Sequence, residues 1–251
     1  MKTLYIIAGA CALSACSTAP FPAARDGLVE YHGRQADIVA TGKKDGAVPI
    51  AAMSGANGAY GVGAHGGLDG EITIYAGKPY VTQVRGDGIT MSHGDSGSAI
   101  FAAWTTNTQW RDEPVPAEVK TYLDLQRFVK ARATAAGIDT AATSVPFLLS
   151  GTPAELKWHI NVDRTEGKPV TRELFAKSKV NYTMKGTPVD IVGFYSEKHL
   201  GAFIGTYVPA IKEKDVKNTI HIHLVSKDGK SAGHIDDLTF AGGMTLRLPK
   251  N

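Results

Sequence analysis

Apolar and polar residues alternate along several short segments of the chain, with the period of two that is typical of a β-strand. The clearest example covers residues 219–225, Thr-Ile-His-Ile-His-Leu-Val. Successive side chains on a strand point to opposite faces, so His221 and His223 lie on one face while Ile222 and Leu224 point into a core. The next residues, Ser226 to Lys230, have Asp-Gly at their centre and predict a hairpin turn that returns the chain toward His234.

The same type of pattern predicts strands over residues 71–75, 80–84, 156–162 and 201–205. The first two form a hairpin, in which Glu71 lies on the face opposite Ile72 and Ile74. Apolar residues at near-helical spacing predict a long helix over residues 116–136 that ends at Gly137.

This order of elements predicts an α+β or mixed α/β domain, built mostly from short β-strands in sheets with one long helix. The 251 residues are 43% hydrophobic, which is enough for a substantial core. We expect residues 27–251 to form one cooperative unit of two closely packed β-rich halves that divide near residue 150.

The N-terminus has the features of an export signal. Lys2 precedes a short apolar stretch, and Leu13-Ser14-Ala15-Cys16 resembles the cleavage site of a bacterial lipoprotein. We expect a signal peptide over residues 1–15, lipidation of Cys16 and a tether over residues 16–26. The protein would then be exported, either anchored on the periplasmic side of the outer membrane or secreted. An ordinary secretory signal and a membrane anchor are the alternatives, although the apolar run is short for a bilayer span.

The composition limits which partners the protein can bind and which side chains can supply catalytic groups. The net charge of +3 is small and the basic residues are scattered, so we do not expect nucleic acid as a partner. Both cysteines, Cys11 and Cys16, precede the predicted domain. Histidine and carboxylate side chains must therefore supply any catalytic or metal-binding groups.

His221, His223 and His234 are the candidate metal ligands. Three neutral imidazoles with an open fourth position are the arrangement that catalytic zinc uses. The alternative is that His221 and His223 are polar residues on a solvent-exposed strand face and bind no metal. The other histidines, His32, His65, His93 and His199, lie beside glycine or charged residues, and we expect them in surface loops.

Several motifs in this order resemble the α-acetolactate decarboxylase family over nearly the whole mature length. They are Gly61-Val62-Gly63, Leu68-Asp69-Gly70-Glu71, Tyr80, Ala99-Ile100-Phe101-Ala102 with the long helix, residues 201–209, the three histidines and Leu246-Arg247-Leu248-Pro249.

The resemblance implies that His221, His223 and His234 bind Zn²⁺ and that Glu71 is the acid/base group. It implies decarboxylation of the keto acid 2-acetolactate to acetoin, in which zinc acts as a Lewis acid that stabilises an enediolate and Glu71 delivers a proton. It also implies that the protein forms a homodimer.

Two positions depart from the family. Asn161 stands where the family has an arginine, whose guanidinium group is suited to binding a carboxylate. Arg164 and His159 are the nearby residues that could replace this arginine. The alternatives are that Arg164 points into solvent and that His159 is a packed residue without a role in binding. The family's second glutamate follows the Leu-Arg-Leu-Pro stretch, and we expect that group to be missing, because the sequence stops at Asn251. A same-fold metalloenzyme with another substrate and a non-catalytic metal-binding lipoprotein therefore remain as alternatives.

Overall fold

The structure is a computed structural model and describes residues 21–250. The predicted signal peptide, Cys16 and most of the predicted tether lie outside the described residues. Within residues 21–250, no helix is both long enough and apolar enough to span a membrane.

The chain folds into two eight-stranded sheets that divide the sequence between them. The first sheet contains β1 (Ala24–Asp26), β2 (Val29–His32), β3 (Val48–Pro49), β4 (Ala59–His65), β5 (Glu71–Tyr75), β6 (Lys78–Arg85), β7 (Gly88–Ser92) and β8 (Ser98–Thr106). Its order is β1-β2-β8-β4-β5-β6-β7, and β3 pairs with β8. All its pairs are antiparallel.

The second sheet is also antiparallel throughout. It contains β9 (Trp110–Pro114), β10 (Val145–Gly151), β11 (Glu155–Asn161), β12 (Lys179–Lys185), β13 (Val189–Tyr195), β14 (Ile220–Ser226), β15 (Ala232–Thr239) and β16 (Thr245–Pro249). Its order is β12-β11-β15-β14-β13-β10-β16-β9. Three α-helices are described within residues 21–250: α1 (Gln35–Thr41), α2 (Tyr122–Ala135) and α3 (Arg172–Lys177).

The two sheets pack face to face. One buried cluster joins Val62 and Phe101 of the first sheet to Leu148 and Phe194 of the second. Helix α2 covers the opposite face of the second sheet, where Val129 belongs to the same apolar cluster as Ile220, Ile222 and Leu224 of β14. The predicted fold class, mostly short strands with one longer helix, is confirmed.

The chain changes sheets earlier than expected. The first sheet ends at Thr106 and the second begins at Trp110, whereas the sequence suggested a division near residue 150. The reason is that β9 pairs with β16 at the edge of the second sheet, so β9 and α2 belong to the second half. The folded part also begins before residue 27, because Ala24–Asp26 pairs with β2 and the Asp26 carboxylate accepts a hydrogen bond from the Ser144 hydroxyl.

Two predicted elements differ in detail. Helix α2 begins at Tyr122 and not at residue 116, because Thr121 and Asp124 form a reciprocal capping box that starts the helix there. Residues 201–205 form a turn with a single bridge between Leu200 and Ile204. Gly201 has φ +78°, in the left-handed region, so these residues cannot form a regular strand.

Candidate metal centre

Three histidines meet on the inner face of the second sheet. His221 and His223 alternate with core residues on β14, as predicted, and the hairpin places His234 of β15 directly opposite His223. His221 Nε2 lies 3.1 Å from His223 Nε2 and 2.9 Å from His234 Nδ1. The first two side chains are buried and the third is half-buried.

Partners on the far side of each ring orient the two β14 imidazoles. His221 Nδ1–H donates to the carbonyl oxygen of Phe203, which can only accept. His223 Nδ1 is hydrogen-bonded to the Thr73 hydroxyl at 3.1 Å. The Phe203 contact fixes the tautomer of His221, so its Nε2 lone pair points into the cluster. The Thr73 contact leaves His223 Nε2 facing the same space.

The histidines are held in their neutral form. Burial lowers the pKa of His221 to about 4 and lowers the pKa values of His223 and His234 well below their usual range, and the neighbouring imidazoles add to the effect. Neutral imidazole is the form that binds a metal ion.

These residues fit a zinc ion. Ring nitrogens that face one another near 3 Å are held either by an N–H that one donates to the other or by a cation between them. Tetrahedral zinc with Zn–N bonds of about 2.0–2.1 Å would place two ligand nitrogens roughly 3.3 Å apart, close to the observed separations of 2.9 and 3.1 Å. His159, His234 and Asp236 form a second, overlapping group of candidate metal ligands.

Glu71 reaches the cluster from the first sheet. It starts β5 on the face opposite Ile72 and Ile74, as predicted, but that face is covered by the second sheet and Glu71 is only 2% exposed. Its Oε2 lies 3.7 Å from His223 Nε2. Burial, with a contribution from the charge of Asp236, raises the pKa of the Glu71 carboxyl well above its ordinary value.

Asn161 fixes the orientation of the Glu71 carboxyl. Its Nδ2–H donates to Glu71 Oε1 at 2.5 Å. Oε1 accepts this bond, and Oε2 is the carboxyl oxygen that lies beside His223. Asn161 therefore lies inside the site, although it touches the acid and not a metal ligand.

A chain of charged groups continues from Glu71 across the second sheet. His159 Nε2 lies 3.8 Å from Glu71 Oε1, and His159 Nδ1 is 2.7 Å from Asp236 Oδ2. On the other side, Asp236 Oδ1 lies 3.4 Å from Lys179 Nζ. His159 is thus buried within the site. Asp236 and Lys179 were not identified from the sequence; the spacing His234-x-Asp236 is the one signal that could have indicated Asp236.

Arg164 lies away from this group. It is exposed in the segment after β11, and the hydrogen bond described for it runs from its backbone N–H to the Ser178 hydroxyl. It does not take the place of an arginine at position 161, because β11 ends at Asn161 and the following residues turn outward. Lys179 is the cation that contacts the site.

The remaining histidines are not all in surface loops. His93 is exposed, but His32 and His65 end strands β2 and β4 and are partly buried. His199 is also partly buried, because its Nε2 lies 2.9 Å from Asp26 Oδ2 and its ring packs 4.3 Å from that of Tyr31. None of the contacts described for these four residues reaches the three-histidine cluster.

Three solved structures that share this fold are described as acetolactate decarboxylases or as similar to them. A Bacillus subtilis strain 168 α-acetolactate decarboxylase aligns with a TM-score of 0.65 and 17% identity over 88% of this chain and 84% of that one. The B. subtilis subspecies spizizenii acetolactate decarboxylase gives 0.66 and 17% over 88% and 85%. A Staphylococcus aureus protein of unknown function, described as similar to α-acetolactate decarboxylase, gives 0.65 and 17% over 88% and 84%.

Sequence comparison identifies the family directly. No curated protein sequence matches the chain. A family model described as Alpha-acetolactate decarboxylase matches residues 31–248, which is nearly all of the described fold. The resemblance predicted from the motifs is confirmed: the chain belongs to the α-acetolactate decarboxylase family.

Proposed function

We propose that this protein catalyses the zinc-dependent decarboxylation of 2-acetolactate, or of a closely related 2-hydroxy-3-oxo acid, to acetoin. Family membership supports acetolactate decarboxylation in general. The observation that carries the proposal for this chain is that the buried Glu71 carboxyl, whose pKa is raised by burial, meets three neutral imidazoles, with its Oε2 at 3.7 Å from His223 Nε2.

His221, His223 and His234 would hold the zinc ion. When bound, zinc supplies a Lewis acid for the negative charge that develops on the ketone and hydroxyl oxygens of the substrate as CO₂ leaves. The contacts from Phe203 and Thr73 hold two of the rings in the required orientation before the metal binds, so little reorganisation is needed.

Glu71 would supply the proton. Loss of CO₂ leaves an electron pair on the carbon that carried the carboxylate, and this carbon must be protonated to give acetoin. Oε2 lies next to the cluster while Asn161 fixes Oε1, so a proton carried on Oε2 would face the reacting carbon. A donor that approaches from one fixed side delivers the proton to one face, which favours a single enantiomer.

The direct test is incubation of the purified protein, loaded with zinc, with racemic acetolactate. We expect acetoin well above the spontaneous rate and enriched in one enantiomer. The Glu71→Gln variant keeps the shape but has no acidic proton, so its rate should fall by about 10²–10⁴-fold while its zinc content is unchanged. Acetoin formation no faster than in the protein-free control would contradict the proposal.

A second candidate is a metalloenzyme of the same fold whose substrate has no carboxylate near Asn161. The observation that favours it is that Asn161 is neutral and its amide is occupied by Glu71. If only the missing arginine limits acetolactate turnover, Asn161→Arg should raise the rate of that turnover. An unchanged or lower rate counts against this candidate.

A third candidate is a non-catalytic metal-binding protein. It predicts one equivalent of bound zinc and no turnover of any keto acid. Less than one equivalent of zinc would weaken both this candidate and our main proposal.

We also propose that the protein is exported and anchored in a bacterial membrane through lipid on Cys16, with the folded domain on the periplasmic side, and that it forms a homodimer. Incorporation of labelled fatty acid that is lost in Cys16→Ala tests the anchor. Sedimentation of the soluble domain tests the dimer.

A further inference from the structure

A lysine lies at the edge of the site, and the proposed reaction does not yet use it. Lys179 begins β12 and is the cross-strand partner of Asn161, so both residues lie on the face of the second sheet that carries the histidines. Its side chain is 23% exposed, in contrast to the buried groups around Glu71. It can therefore contact both the site and a molecule that arrives from solvent.

Lys179 also lines a cavity of about 360 Å³ at this edge of the sheet. Asp236 lines the same cavity and is hydrogen-bonded to His159, so the cavity adjoins the site through these two residues. A space of this size accommodates a small keto acid.

Lys179 is the cation that contacts the charged groups of the site. Its Nζ lies 3.4 Å from Asp236 Oδ1, and the other oxygen of that carboxylate is hydrogen-bonded to His159 at 2.7 Å. Lys157 and Lys212 line the same cavity. Lys157 is paired with Asp237 at 3.5 Å and with Glu155 at 3.7 Å, and Lys212 is exposed, with no contact to Asp236 among those described for residues 21–250.

The contact between Lys179 and Asp236 leaves the ammonium group of Lys179 able to bind a second anion. Their separation of 3.4 Å is longer than the roughly 2.7–2.9 Å of a strong charge-assisted hydrogen bond. An ammonium group has three N–H donors, and one carboxylate partner does not use them all. A second carboxylate can therefore bind Lys179 without displacing Asp236.

We propose that Lys179 binds the carboxylate of the substrate and so positions an anionic 2-hydroxy acid between the cavity and Glu71. This rests on the proposed function only in that the substrate is a carboxylic acid. Lys179 is then the residue that selects an acid over the corresponding neutral hydroxyketone.

The test compares two probes that differ only in charge, 2-hydroxyisobutyrate and its amide, by calorimetry on the zinc-loaded protein. We expect Lys179→Met to weaken binding of the anion by at least ~10-fold, as for loss of one charge-assisted bond, and to leave binding of the amide unchanged. Lys179→Arg should keep most of the affinity for the anion. Lys185→Met is the matched control, because Lys185 lies on the same strand, is 73% exposed and pairs with Glu155.

A purely structural lysine would only neutralise Asp236. In that case, the double variant Lys179→Met with Asp236→Asn would recover affinity for the anion, which would overturn the proposal. Equal losses for both probes in Lys179→Met, no loss for the anion, or no measurable binding of the anion to the wild-type protein would overturn it as well.

Kinetics separate this inference from the proposed function. If the wild-type protein turns over acetolactate, Lys179→Met should raise KM far more than it lowers kcat. If it does not, the proposed function fails, and the calorimetric comparison still decides whether Lys179 binds the anion.

Discussion

Replacement of Glu71 by glutamine should make the metal-free protein progressively more stable than the wild type as the pH rises. The ordinary pKa of the carboxyl is 4.5, and burial raises it well above that value in the folded protein. Above pH 4.5 the unfolded chain releases this proton while the folded protein keeps it. The stabilising contribution of Glu71 is therefore fully present below pH 4.5 and is lost as the pH rises toward the folded pKa.

Linkage sets the size of the effect. While Glu71 stays protonated in the folded state, each pH unit well above 4.5 costs the wild-type protein about 1.4 kcal/mol. Because half of the unfolded chains are already ionised at pH 4.5, the difference from Glu71→Gln can grow by at most about 2.3 kcal/mol between pH 4.5 and 6.5. Glutamine has no proton to release and can accept the hydrogen bond from Asn161 at its own Oε1. The comparison of the wild type with Glu71→Gln therefore isolates the effect of ionising the Glu71 carboxyl.

The assay is urea unfolding of both proteins at pH 4.5, 5.5 and 6.5 with a chelator present, since a bound cation would lower the carboxyl pKa. Glu118→Gln is the control, because it makes the same chemical change at an exposed glutamate outside the buried site. A constant difference between wild type and Glu71→Gln over this range would refute the claim that Glu71 is buried as a neutral acid.

Three further predictions concern the metal and the fold. His223→Ala should reduce the zinc content of the purified protein, measured by mass spectrometry, from one equivalent to well below it, because two nitrogen ligands do not hold zinc tightly. Thr73→Val removes the outer partner of His223, and a chelator titration should show zinc affinity about 10–100-fold weaker; unchanged affinity would show that the hydroxyl does not orient the ring. A Cβ added at Gly193 would lie 2.3 Å from the ring of Phe147, so Gly193→Ala should lower the free energy of unfolding by about 1–3 kcal/mol. A Cβ at Gly88 would meet only the Arg85 carbonyl oxygen at 3.8 Å, an ordinary contact, so Gly88→Ala should change it far less.

The strands that carry the site could be predicted because their signals are local. Alternation with a period of two assigned His221, His223 and Glu71 to their faces, and the Asp-Gly turn correctly predicted the hairpin that brings His234 beside them. The family motifs extended this to nearly the whole fold. The prediction was less accurate where local signals compete. A capping box starts α2 at a later residue than predicted, and Gly201, which has a left-handed conformation, prevents residues 201–205 from forming a strand.

Other parts of the site depend on contacts between residues distant in sequence. Phe203, Thr73 and Asn161 each act on a group from another element, at sequence separations of 18, 150 and 90 residues respectively. A single sequence without an alignment holds no signal for such pairs, because its local patterns do not show which segments meet in space.

The sequence by itself indicated the three histidines of the candidate metal centre, the strand face that His221 and His223 share, the candidate acid at position 71 and the family. Only the tertiary structure decided that the face with Glu71 is buried against the histidine sheet, which raises the pKa of the acid and lowers the pKa values of the imidazoles. It also placed Lys179 opposite Asn161. The physical reason is that strand periodicity is a property of neighbouring residues, whereas desolvation and charge pairing depend on which sheets pack together.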